Sequence, residues 1–234
     1  MAATEFFYTN RPEMVAALVE EIAGLLNEAI AARGQASFLV SGGSSPQAVY
    51  DALAERQLDW SKVIVALVDE RWVPSDHSAS NEDFISRHLL RGPAADATFL
   101  TMKTDALNAA EGLTECEARY AALPSHADVC LLGMGGDGHT ASLFPHAEGL
   151  AAAMAQDSEM RCAVIEAKPS EVTGSHTERM TLTRRYIAAA RKRLLLIAGT
   201  EKQEVYHLAK ACEDSNAMPV SAVLATEIDV YWAP

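Results

Sequence analysis

The sequence predicts an α/β fold with a mostly parallel β-sheet and helices on both faces. The short runs 37–40, 63–68, 129–132 and 194–198 are apolar without alternation, as in strands that are buried on both faces. Amphipathic segments with helical spacing separate these runs. Three of the runs lead into glycine-containing turns, at the edge where parallel sheets bind their ligands. With no internal repeat or linker in the sequence, we expect residues 1–234 to form one domain.

The chain is predicted to begin with a short strand at residues 4–8 and a helix at residues 10–33. Asn10 suits the N-cap of this helix, Pro12 its first turn and Gly34 the position just past its end. Its apolar positions recur at helical spacing and predict a face that packs on the core. These positions are Val15, Leu18, Val19, Ile22, Leu25, Leu26 and Ile30.

The first glycine stretch is SGGSSP at residues 41–46, directly after a predicted strand. Ser45 is predicted as the N-cap and Pro46 as the first residue of a helix at residues 47–54. Helix starts bind anions, and the two glycines allow a concave group of backbone N–H donors, so a phosphate is the expected ligand. The alternative is a well-capped turn without a ligand, which leaves the paired glycines unexplained.

Strand 63–68 ends in Asp69, Glu70 and Arg71, which form either a solvated loop entry or a site. Their place at the end of a buried strand favours a site.

The sequence predicts no single structure for residues 147–160, which form a helix or a mobile cover. The other predicted helices begin at Ser80 and at residues 109, 184, 199 and 220, and the other strands lie at residues 98–102, 129–132, 161–167, 179–182, 194–198 and 228–232.

The second glycine stretch follows strand 129–132 and carries the strongest indication of chemistry. Four glycines lie within residues 133–138, and Asp137 and His139 come with them. Hydroxyl and ionisable side chains at the end of a parallel strand indicate a catalytic site. The alternative is a glycine-rich turn with an exposed histidine.

This stretch also matches the spacing G-x-G-x-x-G of dinucleotide-binding proteins. The dinucleotide motif requires a full helix and a following strand that ends in an acidic residue. Here Pro145 ends any helix within two turns, so we do not expect a dinucleotide site. The serine-hydrolase pattern G-x-S-x-G does not occur in the sequence.

The composition excludes several classes of partner. The net charge is −13, from 19 Lys+Arg against 32 Asp+Glu, which disfavours binding to nucleic acids and to anionic membranes. No apolar run reaches the ~18 residues of a membrane span, and no signal segment begins the chain. The four cysteines are far apart, which indicates reduced thiols in the cytoplasm rather than a zinc site or disulfides. The histidines show no metal-ligand spacing, so we expect activity to survive a chelator.

Six segments in chain order resemble the 6-phosphogluconolactonase family: SGGSSP, DERWVP, SN, LLGMGGDGHTASLFP, ERMTLT and AGTEK. The resemblance covers nearly the whole chain. It implies a fold similar to that of glucosamine-6-phosphate deaminase and ribose-5-phosphate isomerase. It also implies hydrolysis of 6-phospho-D-glucono-1,5-lactone in the oxidative pentose phosphate pathway, without metal or cofactor. The partner is then a small phosphosugar lactone; the sequence does not determine the oligomeric state.

The resemblance further implies roles for individual residues. His139 is expected to be the general base that activates water, with Asp137 or Asp69 orienting it. The implied substrate-binding residues are Gly42, Gly43, Ser44 and Ser45 around the phosphate, and Arg71, Arg179 and Lys202 as cations for the phosphate or the lactone oxygen. Two departures stand out: Ser45 replaces the usual threonine, and GSHTERMTLT replaces a run rich in lysine and proline.

Two other functions share these motifs. An amino-sugar-phosphate deaminase or isomerase also needs the phosphate loop and the GGDGH turn. Such enzymes resemble D-E-Y and GGDGH-I-A-F, whereas this chain has Arg71-Trp72 and Thr140-Ala141-Ser142. A non-catalytic phosphosugar-binding regulator would keep the SGGSS loop but would not need His139.

Overall fold

A computed structural model describes residues 3–234, so the first two residues of the predicted domain 1–234 lie outside the description. The helices are α1 (Arg11–Arg33), α2 (Gln47–Ala54), α3 (Asn81–His88), α4 (Ala109–Tyr120), α5 (Leu150–Met154), α6 (Arg184–Ala189), α7 (Thr200–Ala211) and α8 (Val220–Leu224). The strands are β1 (Thr4–Phe7), β2 (Ala36–Val40), β3 (Val63–Leu67), β4 (Asp69–Arg71), β5 (Thr98–Leu100), β6 (Val129–Leu132), β7 (Cys162–Glu166), β8 (Glu178–Leu182), β9 (Lys192–Ala198) and β10 (Asp229–Ala233).

The main sheet has seven strands in the order β1-β10-β9-β6-β2-β3-β5, and every pair in it is parallel. All residues of β2, β3 and β6 are buried. Since successive side chains of a strand point to opposite faces, both faces of the sheet are covered. The predicted α/β class with a mostly parallel sheet is confirmed.

A second sheet has three antiparallel strands, β4-β8-β7, and includes one strand that the sequence did not predict. Asp69, Glu70 and Arg71 form strand β4 rather than a solvated loop entry, and Arg71 lies opposite Arg179 of β8. The partner strand is more than one hundred residues away in the chain, so local sequence carries no signal for this pairing.

Helix α1 has the predicted ends. Asn10 accepts a hydrogen bond from the backbone N–H of Glu13, and Gly34 is left-handed at φ 77°. The buried face is shifted relative to the prediction. Of the predicted positions, Leu18, Val19, Ile22 and Leu26 are buried, whereas Val15, Leu25 and Ile30 are only partly buried. The buried face also includes Met14, Ala23 and Ala29. Alanine side chains are small and allow a helix to pack close to its neighbours. The predicted face included only the larger apolar side chains.

Other boundaries differ by a few residues. The strand predicted at residues 98–102 ends at Leu100, and the helix predicted to begin at residue 109 does so and ends at Tyr120. Residues 147–160 contain the short helix α5, so a helix is the outcome for part of this segment.

The four cysteines are free. Cys116, Cys130 and Cys162 are buried and Cys212 is partly exposed, with the sulfurs of Cys116 and Cys162 3.7 Å apart. No helix in the described range 3–234 has the length and apolar character needed to cross a bilayer.

The order in which the chain adds strands to the main sheet reverses between the neighbouring strands β2 and β6. From β2 the chain continues to β3 and β5 on one side, and from β6 it continues to β9 and β10 on the other. Such a reversal opens a crevice at the carboxyl ends of the strands. The two glycine stretches follow these two neighbouring strands.

Candidate active site

The reversal point holds a cavity of about 310 Å³. Loops after the adjacent strands β2, β6 and β9 contribute to its wall, together with β4. The lining residues are Ser41, Gly42, Gly43, Ser44, Ser45, Pro46, Asp69, Arg71, Asn81, Gly133, Met134, Gly135, Gly136, His139, Ala141, Val172 and Lys202. The sheet order therefore brings together most of the residues that the sequence singled out.

His139 and Asp137 form a pair at the β6 turn. Nδ1 of His139 lies 2.5 Å from Oδ1 of Asp137, and the ring packs at 4.3 Å from the ring of Phe144. Burial disfavours a charged Asp137, but its hydrogen bonds and charge interaction with His139 outweigh burial and lower the pKa of Asp137. Across residues 3–234, Nε2 of His139 has no hydrogen-bond partner, so this nitrogen is available for a ligand or water.

Two of the four glycines of this turn, Gly135 and Gly138, are required by its geometry. A Cβ at Gly135 would lie 2.1 Å from Nδ1 of His139, so a side chain there would displace the pair. Gly138 has φ 79°, which suits glycine. Ala141 in the cavity wall has φ 49°, a left-handed conformation that costs a non-glycine residue energy and is concentrated at functional sites.

Asp69, the other residue expected to orient His139, has different partners. Its Oδ2 accepts a hydrogen bond of 2.7 Å from Oγ of Ser142, and its carbonyl accepts one of 2.8 Å from the Asn81 amide. Its carboxylate lines the cavity without a hydrogen bond to His139. Of the two carboxylates proposed from the sequence, only Asp137 contacts the histidine.

The loop at residues 41–46 corrects the predicted cap. Pro46, not Ser45, occupies the N-cap position of α2, and no side chain caps the helix. The first helical hydrogen bonds run to the carbonyl of Pro46, from the N–H groups of Val49 and Tyr50. The earlier N–H groups of α2 therefore remain available to an anion. Oγ of Ser41 is buried and has no partner within residues 3–234, although it lines the cavity.

Two cations reach the cavity without a carboxylate partner. Nη1 of Arg71 donates to the carbonyl of Ala79 at 2.9 Å and to Oδ1 of Asn81 at 2.7 Å. Nζ of Lys202 donates to the carbonyl of Met134 at 2.6 Å. Within the described chain neither forms an ion pair. Burial lowers the pKa of Lys202, partly offset by the charge of Asp137.

Arg179, the third expected cation, lies outside the cavity wall. It is 3% exposed, and its Nη2 donates to the carbonyl of Thr173 at 2.9 Å. Burial and the nearby charge of Arg71 lower the pKa of Arg179 to about 10. Its Nε has no partner in residues 3–234. Arg179 thus lies opposite Arg71 in the three-stranded sheet and is not among the residues that line the cavity.

Glu70 has a structural position that the sequence did not reveal. Its buried carboxylate accepts hydrogen bonds from the N–H groups of Arg71, Asn81 and Glu82 and from Oγ of Ser80. Burial raises the pKa of Glu70 to about 7, against the lowering effect of these donors. Glu70 therefore holds the start of α3 against β4.

Asn81 is the site residue that sequence reasoning missed. It is buried at the start of α3 and lines the cavity beside Arg71. The sequence feature that could have indicated Asn81 is the helix start at Ser80-Asn81, ten residues after the charged residues at the end of the predicted strand 63–68. Ser80 and Asn81 are predicted as a helix start and form the segment SN of the family resemblance, neither of which predicts a role for Asn81 in the site.

The family described as Glucosamine-6-phosphate isomerases/6-phosphogluconolactonase matches residues 9–232. The chain belongs to this family. Within it, a 6-phosphogluconolactonase of Pseudomonas aeruginosa is 43% identical over 222 residues, covering 95% of this chain and 91% of the relative. A 6-phosphogluconolactonase of Rhizobium meliloti is 38% identical and aligns over the full length of both chains, 100% of each.

Solved structures of family members agree with the fold. A 6-phosphogluconolactonase from Shewanella baltica superposes with a TM-score of 0.93 at 36% identity, over 99% of this chain and 98% of that one. A monomeric glucosamine-6-phosphate deaminase superposes with a TM-score of 0.80 at 18% identity, over 98% of this chain and 97% of that one. At this identity the second likeness concerns the fold alone.

Proposed function

We propose that this protein hydrolyses 6-phospho-D-glucono-1,5-lactone to 6-phospho-D-gluconate, the lactonase step of the oxidative pentose phosphate pathway. Its relatives from P. aeruginosa and R. meliloti carry the name 6-phosphogluconolactonase. The observation that carries the proposal is one cavity that combines a histidine–aspartate pair with two cations that have no carboxylate partner in residues 3–234. We place the reaction in the cytoplasm, in a single catalytic domain.

In the proposed mechanism His139 acts as the general base. Asp137 holds Nδ1 of the ring, so that the free Nε2 takes a proton from water as the water oxygen attacks the lactone carbonyl carbon. The bond from the carbonyl carbon to the ring oxygen then breaks. The protonated imidazole returns its proton to the leaving ring oxygen, and the products are a hydroxyl and a carboxylic acid on one open chain, the acid losing its proton to solvent. No cofactor takes part in this scheme.

We propose that the substrate phosphate binds over the start of α2, at residues 41–46. The uncapped N–H groups and the helix dipole there favour an anion by roughly 0.3–2 kcal/mol. A charged hydrogen bond from Arg71 or Lys202 would add about 1.5–3 kcal/mol. We assign Arg179 no direct contact with the substrate, because it is buried and does not line the cavity.

The test compares hydrolysis of δ-gluconolactone with and without the 6-phosphate, in the parent and in Lys202→Ala. The parent is expected to prefer the phosphorylated lactone strongly. The variant is expected to lose about tenfold to a hundredfold in kcat/KM on the phosphorylated substrate, with little change on the plain lactone. Lys210→Ala on the same helix is the matched control, since Lys210 pairs with Glu5 away from the cavity.

Equal losses on both substrates would assign Lys202 to the lactone or to folding and leave the phosphate to Arg71. A parent that does not accelerate hydrolysis above the spontaneous rate would overturn the proposed function itself. Release of ammonia from glucosamine 6-phosphate by the parent would support the deaminase alternative instead.

A further inference from the structure

Asn81 binds three consecutive residues of β4, two through its side-chain amide and one through its backbone N–H. It is 2% exposed, and its Nδ2 donates to the carbonyl of Asp69 at 2.8 Å. Its Oδ1 accepts from Nη1 of Arg71 at 2.7 Å. Its backbone N–H is held by Glu70 at 2.7 Å. The donor side of the amide is thus fixed toward β4, and the acceptor side is fixed toward the guanidinium.

The same oxygen lies against the phosphate loop. A Cβ at Gly42 would be 1.9 Å from Oδ1 of Asn81, so the glycine leaves room for the amide. The first glycine of the SGGSSP loop is therefore required by the position of Asn81. Asn81 therefore lies between Arg71, whose Nη1 it binds, and Gly42, against which its amide packs.

The partners of Arg71 are uncharged. Its Nη1 is bonded to a backbone carbonyl and to the amide of Asn81, and no carboxylate in the described range lies within ion-pair distance of it. A carboxylate at the same place would orient the guanidinium equally well but would neutralise much of its charge. An amide orients Arg71 through one nitrogen and leaves its positive charge for an anionic ligand.

We propose that Asn81 is a positioning residue that aims Arg71 into the cavity without neutralising it. The inference rests on the proposed function, because it takes the phosphosugar lactone as the anionic ligand. Asn81 itself needs no contact with the substrate. Its effect passes through Arg71, and this separates the proposal from a general structural role.

The test is a double-mutant cycle of Asn81→Ala and Arg71→Ala. In the parent background, Asn81→Ala is expected to lower kcat/KM on the phosphorylated lactone by about tenfold to a hundredfold. In the Arg71→Ala background the same change is expected to lower it by less than about threefold, because the group that Asn81 positions is absent. Asn27→Ala, at an exposed position of α1, is the matched control.

Equal effects of Asn81→Ala in both backgrounds would overturn the proposal. Asn81→Asp tests the charge argument: it is expected to bind 6-phosphogluconate, measured by calorimetry, more weakly than Asn81→Ala does. Binding as tight as that of the parent would also contradict the proposal. If the parent binds 6-phosphogluconate but does not hydrolyse the lactone, the proposed function fails. The role of Asn81 is then decided by the affinities for 6-phosphogluconate of the parent, the two single variants Asn81→Ala and Arg71→Ala, and the double variant.

Discussion

Two histidines of the described chain have an aspartate at Nδ1: His139 with Asp137 at 2.5 Å, and His88 with Asp51 at 3.0 Å. The pair is therefore not sufficient to identify a catalytic base. His139 lines the cavity on a turn whose glycine leaves space for the ring, whereas His88 is the last residue of α3 and does not line that cavity. The surroundings distinguish the two residues.

This difference gives a residue-scale prediction with an internal control. General-base catalysis contributes typically 10²–10⁴-fold, so His139→Ala is expected to lower kcat by about that factor with little change in the affinity for 6-phosphogluconate. His88→Ala removes a similar pair outside the cavity, and its kcat is expected to stay within about twofold of the parent value. Steady-state kinetics of both variants make the comparison. Weaker product binding with unchanged kcat in His139→Ala would remove His139 from the chemical step.

At the scale of elements, β4 and α3 are joined by a buried carboxylate. Glu70 accepts from the N–H groups of Asn81 and Glu82 at the start of α3, and burial raises its pKa from the ordinary value of 4.5 to about 7. A group whose pKa is higher in the folded state binds its proton more tightly there than in the unfolded chain. Its contribution to stability is complete below pH ~4.5 and is lost as the pH rises through ~7.

We therefore expect the free energy of unfolding of the parent to fall between pH 5 and pH 7.5 by about 2 kcal/mol more than that of Glu70→Gln. The amide does not titrate, so the difference between the two proteins isolates this carboxyl from the groups that both proteins share. Denaturant unfolding at the two pH values provides the measurement. An equal pH dependence in both proteins would mean that Glu70 stays ionised in the fold.

The opposite end of the main sheet is held by another carboxylate. Asp128, just before β6, accepts from the backbone N–H and Oγ of Ser37 in β2 at 2.8 Å each, and it pairs with Arg33. It is buried, so its removal leaves several donors without their acceptor.

Asp128→Ala is expected to lower the free energy of unfolding by about 2–4 kcal/mol, measured by denaturant unfolding. Because the cavity lies at the other end of β2 and β6, kcat of the folded variant is expected to stay within about twofold of the parent value. Asp157→Ala, at an exposed position, is the control for stability. A tenfold loss of kcat in Asp128→Ala would show that the two ends of the sheet are coupled.

The elements that the sequence predicted correctly are those whose signals are local. Asn10 and Gly34 mark the ends of α1, and unbroken apolar runs mark the buried strands. Strand β4 carried no such signal, because it is three residues long, charged, and paired with a distant segment. The cap of α2 was misassigned by one residue, because serine and proline at adjacent positions fit the same helix start.

At the scale of the whole molecule, the residues of the site could be proposed from the sequence, but their partners could not. Asp69 and Asp137 are equivalent choices for orienting His139 in the sequence, and only the folded turn brings Asp137 to Nδ1. Arg179 and Arg71 are likewise equivalent in the sequence, and only the fold places Arg71 in the cavity wall and Arg179 outside it. Asn81 was missed because its importance lies in contacts with Gly42 and Arg71.

The distribution of charge also requires the whole fold. The net charge is −13, yet Arg71 and Lys202 in the cavity have no ion pair within the described residues. Other cations, such as Arg33 and Lys210, pair with carboxylates elsewhere. The cavity therefore offers an anionic substrate two cations that no carboxylate of the described residues pairs, although the chain as a whole is negatively charged.

Because three of the four cysteines are buried, the reactivity of their thiols can be used to follow unfolding. Cys116, Cys130 and Cys162 are enclosed in the core, and burial raises the pKa of Cys130 to about 12, whereas Cys212 is partly exposed. An alkylating reagent reacts with accessible thiolates, so intact-mass spectrometry is expected to find one label on the native protein and four after denaturation. Rapid native labelling of Cys116 or Cys162 would contradict this placement. The order in which the three core thiols become reactive during titration with urea would then record whether the main sheet and the three-stranded sheet open together.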